Sequence, residues 1–127
     1  MFDLKKILNG RMNVPEPEVY PAGAAITPGM ALTLSAGKLI ACTGAKAPTH
    51  IAMGYAESGK NVAAAPVDSA QIYDVELSAA PTSLTEGDKV TIGTDSLTVT
   101  ATKTDGVATI VALNGATAIG DKITVRF

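Results

Sequence analysis

Residues 97–113 read LTVTATKTDGVATIVAL, with apolar and polar side chains alternating through most of the stretch. Successive side chains of an extended chain point to opposite faces, so this period of two, carried by Val, Ile and Thr, marks half-buried strands. Asp105-Gly106 supplies the left-handed backbone that a tight turn between right-twisted strands requires, so the stretch predicts a β-hairpin. Similar short runs, separated by Gly, Pro, Asp and Asn, continue from Ala24 to the end. They predict strands near 30–35, 38–43, 51–56, 71–78, 89–92, 96–103, 107–113 and 121–126. The expected fold is all-β, a small β-barrel or β-sandwich. Ser35-Ala36-Gly37-Lys38 is expected to turn the first hairpin, and Asn114-Gly115 to punctuate the stretch before the last strand. Residues 57–70, ESGKNVAAAPVDSA, fit either a loop or one helical turn before Pro66.

One phrase recurs. Ile26-Thr27-x-Gly29-x-x-Leu32-Thr33-Leu34 falls without a gap on Leu84-Thr85-x-Gly87-x-x-Val90-Thr91-Ile92, and Gly120-Asp121-Lys122-Ile123-Thr124-Val125 repeats the pattern from Gly87 to Ile92. Its physical content is a tight turn allowed by Gly, followed by a strand with one buried face. A duplication would pack two similar hairpin units into one closed or nearly closed sheet. Common turn chemistry would produce the same wording without duplication.

Residues 1–23 differ from the β domain expected over 24–127 and read as a largely irregular N-terminal arm. Asp3 can cap a short helix carrying Phe2, Leu4, Ile7 and Leu8, ended by Gly10, after which Pro15, Pro17 and Pro21 prevent any long regular element.

The 127 residues suffice for one domain. Of the 46% hydrophobic residues, 21 are alanines, with no Trp, two Phe and three Tyr. Burial contributes about 25 cal/mol per Å² of apolar surface, so small side chains leave little margin for a lone subunit, and self-association is expected. A net charge of −2 with scattered Lys and Arg gives no electrostatic footprint for nucleic acid. No apolar run approaches the roughly 20 residues of a membrane span, and MFDLKKILNGRM lacks a signal-peptide apolar region, so a soluble chain made in the cytoplasm is expected.

The sequence offers little for catalysis. His50 is the only histidine and has no carboxylate within five residues, so it reads as a surface residue or the first residue of a strand. Cys42, the only cysteine, reads as a small buried side chain. No phosphate loop, nucleophile elbow or zinc helix occurs, and neither a cofactor nor a metal is expected. Asp88 and Asp121 are each followed by Lys, which suggests local neutralisation, while Asp74 and Glu76 share a strand face from which they could pair across a subunit contact.

Ile26-Thr27-Pro28, Lys38-Leu39-Ile40-Ala41 and Ile51-Ala52-Met53-Gly54-Tyr55-Ala56, within residues 25–56, resemble the head decoration, or capsid cement, proteins of tailed bacteriophages, typified by that of phage lambda. Cys42 stands where that pattern would carry an aromatic residue. The resemblance implies a non-enzymatic virion protein that trimerises on the capsid exterior, binds the major capsid protein and stabilises the shell. In such a protein the arm, at Val14, Pro15, Val19, Tyr20 and Pro21, is the expected shell contact, because these apolar residues lie in a segment without a core of its own. The alternative is a receptor- or carbohydrate-binding β module of a head fibre or tail, against which the 4% aromatic content counts.

Overall fold

The computed structural model describes residues 1–8 and 15–127. Among them are strands β1 (Asp3–Ile7), β2 (Glu18–Pro21), β3 (Ala31–Ser35), β4 (Lys38–Ala41), β5 (His50–Ala52), β6 (Asn61–Pro66), β7 (Gln71–Leu77), β8 (Lys89–Val90), β9 (Thr98–Val99), β10 (Ala108–Ala112) and β11 (Lys122–Arg126). They form two sheets. One runs β1-β7-β11-β10-β8, with β9 added parallel to β7, and the other runs β2-β6-β5-β3-β4. The expected all-β fold is therefore found as two packed sheets, and the described residues form no closed barrel. The five-stranded sheet curls until Ala22, just past β2, bridges Leu39 of β4, but this is one bridge and not a ladder.

Two cores result. The larger contains Phe2, Tyr73, Leu77, Ile110 and Ile123 of the six-stranded sheet and its surroundings, and it takes in Ala31 and Ile51 from the outer face of the five-stranded sheet. The smaller lies inside the curl and consists of Ala22, Ile26, Leu32, Leu39, Ala52, Val62 and Ala64. Cys42 is fully buried in the larger core, as expected, and that burial pushes its thiol pKa up.

The recurring phrase builds the same local object each time. Met30 donates to the carbonyl of Thr27, Asp88 to that of Thr85 and Asp121 to that of Ala118. The third residue of each turn is a glycine with positive φ: Gly29 (77°), Gly87 (92°) and Gly120 (87°). That is type II turn geometry, in which a side chain at this position would be strained. The hairpin at Ser35-Ala36-Gly37-Lys38 is also as expected, with positive φ at Ala36 (47°) and Gly37 (75°) and Ser35 paired to Lys38.

Several expectations are overturned. The first residues form β1 and not a helix. Five residues cannot offset the cost of nucleating a helix alone, whereas pairing with β7 satisfies their backbone and buries Phe2 to 3% exposure, its ring centroid 5.5 Å from that of Phe127. Asp3 caps nothing and faces Lys122 at 3.5 Å, and Gly10 lies outside the described residues. Residues 61–66 are a strand in mid-sheet, neither loop nor helical turn, because β2 and β5 pair with β6 on both sides and Val62 and Ala64 fill the inside of the curl. The five residues before Pro66 thus obey tertiary pairing over the helix preference of alanine.

The stretch 97–113 is not one hairpin. β10 pairs with β8 and β11, and the segment around β9 lies on the other side of the β8 segment, where Ile92 bridges Val99. Asp105 does supply a left-handed residue (φ 55°). Gly106 is needed for a different reason: an added Cβ would overlap the backbone of Lys89, so the chain crosses β8 at a distance only glycine permits.

Candidate functional site

β2 divides its side chains between two environments. The N–H of Ala22 donates to the carbonyl of Lys60, so residues 18, 20 and 22 bond toward β6 and place Glu18, Tyr20 and Ala22 on the interior face of the curl. Val19 and Pro21 take the opposite face, and the free edge of β2 is poor in donors because neither Pro17 nor Pro21 has an N–H.

On the interior face, Glu18 meets His50. The imidazole is 5% exposed, its Nε2 lies 2.9 Å from Glu18 Oε2, and its Nδ1 lies 2.8 Å from Thr49 Oγ1. Tyr20 stands edge-on to the ring at 5.7 Å and donates its hydroxyl to the same Glu18 oxygen at 3.1 Å. An ionised carboxylate only accepts, which assigns the imidazole proton of the neutral ring to Nε2. Thr49 Oγ1, which accepts the Leu34 N–H at 2.9 Å, is then free to donate to Nδ1. Every polar group in the chain of contacts is satisfied. The bond from His50, and after it that from Tyr20, holds the Glu18 carboxyl below its usual range, while Glu18 pushes the Tyr20 hydroxyl up.

His50 does begin a strand, but the surface position expected for it is corrected to a buried one with a carboxylate partner. The sequence separation of 32 residues hid that partner. The alternation Glu18-Val19-Tyr20 was the one available signal, and the surrounding prolines masked it. Other carboxylates also find partners different from those expected. Burial alone would raise the Asp74 pKa, but Thr124 Oγ1 at 2.7 Å and Lys5 Nζ at 3.0 Å, both in the same chain, bring it below normal. Asp88 is lowered by Lys103 at 2.7 Å together with Thr85, and Asp121 by the backbone N–H groups of Thr117 and Ala118. In neither does the following lysine act; the carboxylates staple the recurring turns.

Beside β2, away from Ala31 and Ile51, the outer face of the same sheet is apolar and exposed. Val19 lies opposite Ala63, whose carbonyl accepts the Met53 N–H at 2.9 Å, so Val19 and Met53 flank Ala63, with Val19 60% and Met53 47% exposed. Tyr55, two residues beyond Met53, is 78% exposed. Beside this face a cavity of about 220 Å³ opens between the sheets, lined by Met1, Phe2, Leu4, Pro15, Met53 and Tyr73 among others.

The arm residues are thus distributed. Pro15 lines the cavity, Val19 stands on the exposed face, Pro21 is half-buried opposite Asn61, and Tyr20 packs against the smaller core. Val14 lies outside the described residues. Sequence reasoning missed Met53 and Tyr55, because a strand expected over 51–56 gave no reason to place both on open surface.

No family model matches the chain, and no curated protein matches it. Its fold is similar to that in the crystal structure of the head fibre gp8.5 N base in bacteriophage phi29, with a TM-score of 0.59 and 17% identity, covering 87% of this chain and 92% of that one. At that identity the likeness is one of fold.

Proposed function

We propose that this protein is a structural component of a tailed-phage virion, seated on the outside of the head and bound to the major capsid protein. The observation that carries the reading is the correspondence of nearly the whole chain to the base of a phage head fibre. The exposed apolar side chains of Val19 and Met53, which flank Ala63, and of Tyr55 two residues on supply apolar contact surface of the kind that docking requires. In this reading the subunit acts without chemistry, as a trimer whose repeated contacts across the lattice reinforce the shell by mass action and multivalency.

The first test is sedimentation of the purified protein with expanded, emptied heads, combined with its mass in solution. Binding of a trimer that raises the temperature at which heads rupture supports the proposal; a protein that stays in the supernatant at every concentration refutes it. A second reading, the capsid-proximal base of a fibre, is favoured by what the structural neighbour is. Saturated heads viewed by electron microscopy separate the two, because a decoration protein gives knobs on a stiffened shell and a fibre base gives sparse projections without stiffening.

A further inference from the structure

We infer that the Glu18–His50 contact is an acid-labile clasp that holds the edge strand β2 on the five-stranded sheet, so that acidification frees β2 while the six-stranded sheet stays paired. This inference stands apart from the virion reading.

β2 is an edge strand of this sheet with little to hold it. It is four residues long and pairs along its length with β6 alone, and beyond it only the bridge from Ala22 to Leu39 ties its end to β4. Its inward side chains therefore matter more than usual. Glu18 and Tyr20 reach past β6 to His50 at the start of β5, tying together two strands that are not neighbours in the sheet. Among the described residues Glu18 is the one charged group bonded to the ring, and Tyr20 is the other titratable group beside it. The remaining contacts, with Thr49 and through it Leu34, are neutral.

The sign of the pH dependence follows. The Glu18 pKa is depressed in the folded protein, so its contribution is complete above the ordinary Glu value of about 4.3 and is lost as pH falls through the lower, folded value. The geometry accommodates either state of the ring, because Thr49 Oγ1 can also accept from Nδ1–H and turn its own hydrogen toward the Leu32 carbonyl at 3.5 Å. Once Glu18 takes a proton, an imidazolium only 5% exposed has no counter-charge in the sheet interior, an arrangement far worse than a pair. Opening β2 returns the ring to water at the expense of a few backbone bonds.

The test is amide hydrogen exchange on the intact chain between pH 6 and pH 3, corrected for intrinsic rates, in the wild type, E18Q and D88N. In the wild type the amides of Glu18, Tyr20 and Ala22 are expected to lose about tenfold or more of their protection over this range, while those of Ile110 and Val125 keep theirs. D88N keeps the step and E18Q abolishes it. Because the chain has a single histidine, its ring nitrogen shifts are unambiguous, and the neutral ring is expected as the Nε2–H tautomer. The inference is overturned by β2 protection that does not change with pH, by β2 and β10–β11 opening together, by a step that survives in E18Q, or by an Nδ1–H tautomer.

Discussion

The two sheets use the same turn-and-strand unit but fill their interiors with different material. The six-stranded sheet buries Tyr73, Leu77, Ile92, Ile110 and Ile123, whereas three of the seven buried residues inside the five-stranded curl are alanines. Most of the chain's alanines fall between Ala22 and Ala65, so the thin core expected from composition belongs to one half of the molecule. Alternation along β2 and β4 sends Val19 and Ile40 to the opposite face from this core, and they stay exposed there, as do Met53 and Tyr55 beyond β5. Stability and display are thus separated in this molecule. One sheet supplies the mass of buried aliphatic surface, and the other presents apolar groups outward.

That division can be broken most severely at Phe2. If the N-terminal strand belongs to the larger core, Phe2→Ala should cost about 3–5 kcal/mol in chemical denaturation, with a single transition. A loss below 1 kcal/mol would mean the strand is only a loose appendage. Gly106→Ala should come next, at about 2 kcal/mol or more, because the new Cβ meets backbone that cannot move aside; Gly59→Ala, in open space at φ 81°, should lose only about 1 kcal/mol. Ala64→Val probes the smaller core, where overpacking should cost about 1–3 kcal/mol. Its effect should appear as faster exchange in β2, β5 and β6 before β10 and β11 respond.

Smaller effects sharpen the contrast. Glu18, Asp74, Asp88, Asp95 and Asp121 all have depressed carboxyl pKa values, so the stability they bring is present above about pH 4 and drains away as pH falls below it. Melting temperature should fall steadily from pH 5 to pH 2.5, and Asp121→Asn should flatten that slope in proportion to its share; an unchanged slope would show that the turn staple contributes nothing. Least costly to the fold should be Val19→Asp together with Tyr55→Ser, within about 0.5 kcal/mol each by denaturation. The same pair should abolish sedimentation with heads, and undiminished binding would move the contact surface elsewhere.

The hairpin at Ser35–Lys38 and the three glycine turns were readable because each is settled within four residues by φ and by one backbone bond. The strand alternation from β7 onward was readable for the same reason, since the side-chain period is local. β1 was misread because its helical-looking spacing is too short to decide anything until β7 lies beside it, and β6 because alanine prefers helix until two strands flank it. Asp105-Gly106 marked a turn correctly, yet the glycine answers to Lys89, seventeen positions earlier in the chain.

The amino-acid order specifies short strands and the places of many turns, since those choices are made by torsion angles and side-chain alternation over a few residues. The pairing of distant strands, the closing of Glu18 on His50 and the exposure of Val19 and Met53 beside Ala63 were set by the tertiary fold. Those outcomes depend on which distant segments offer complementary volume and unsatisfied hydrogen-bonding groups, and no local window of sequence contains that information.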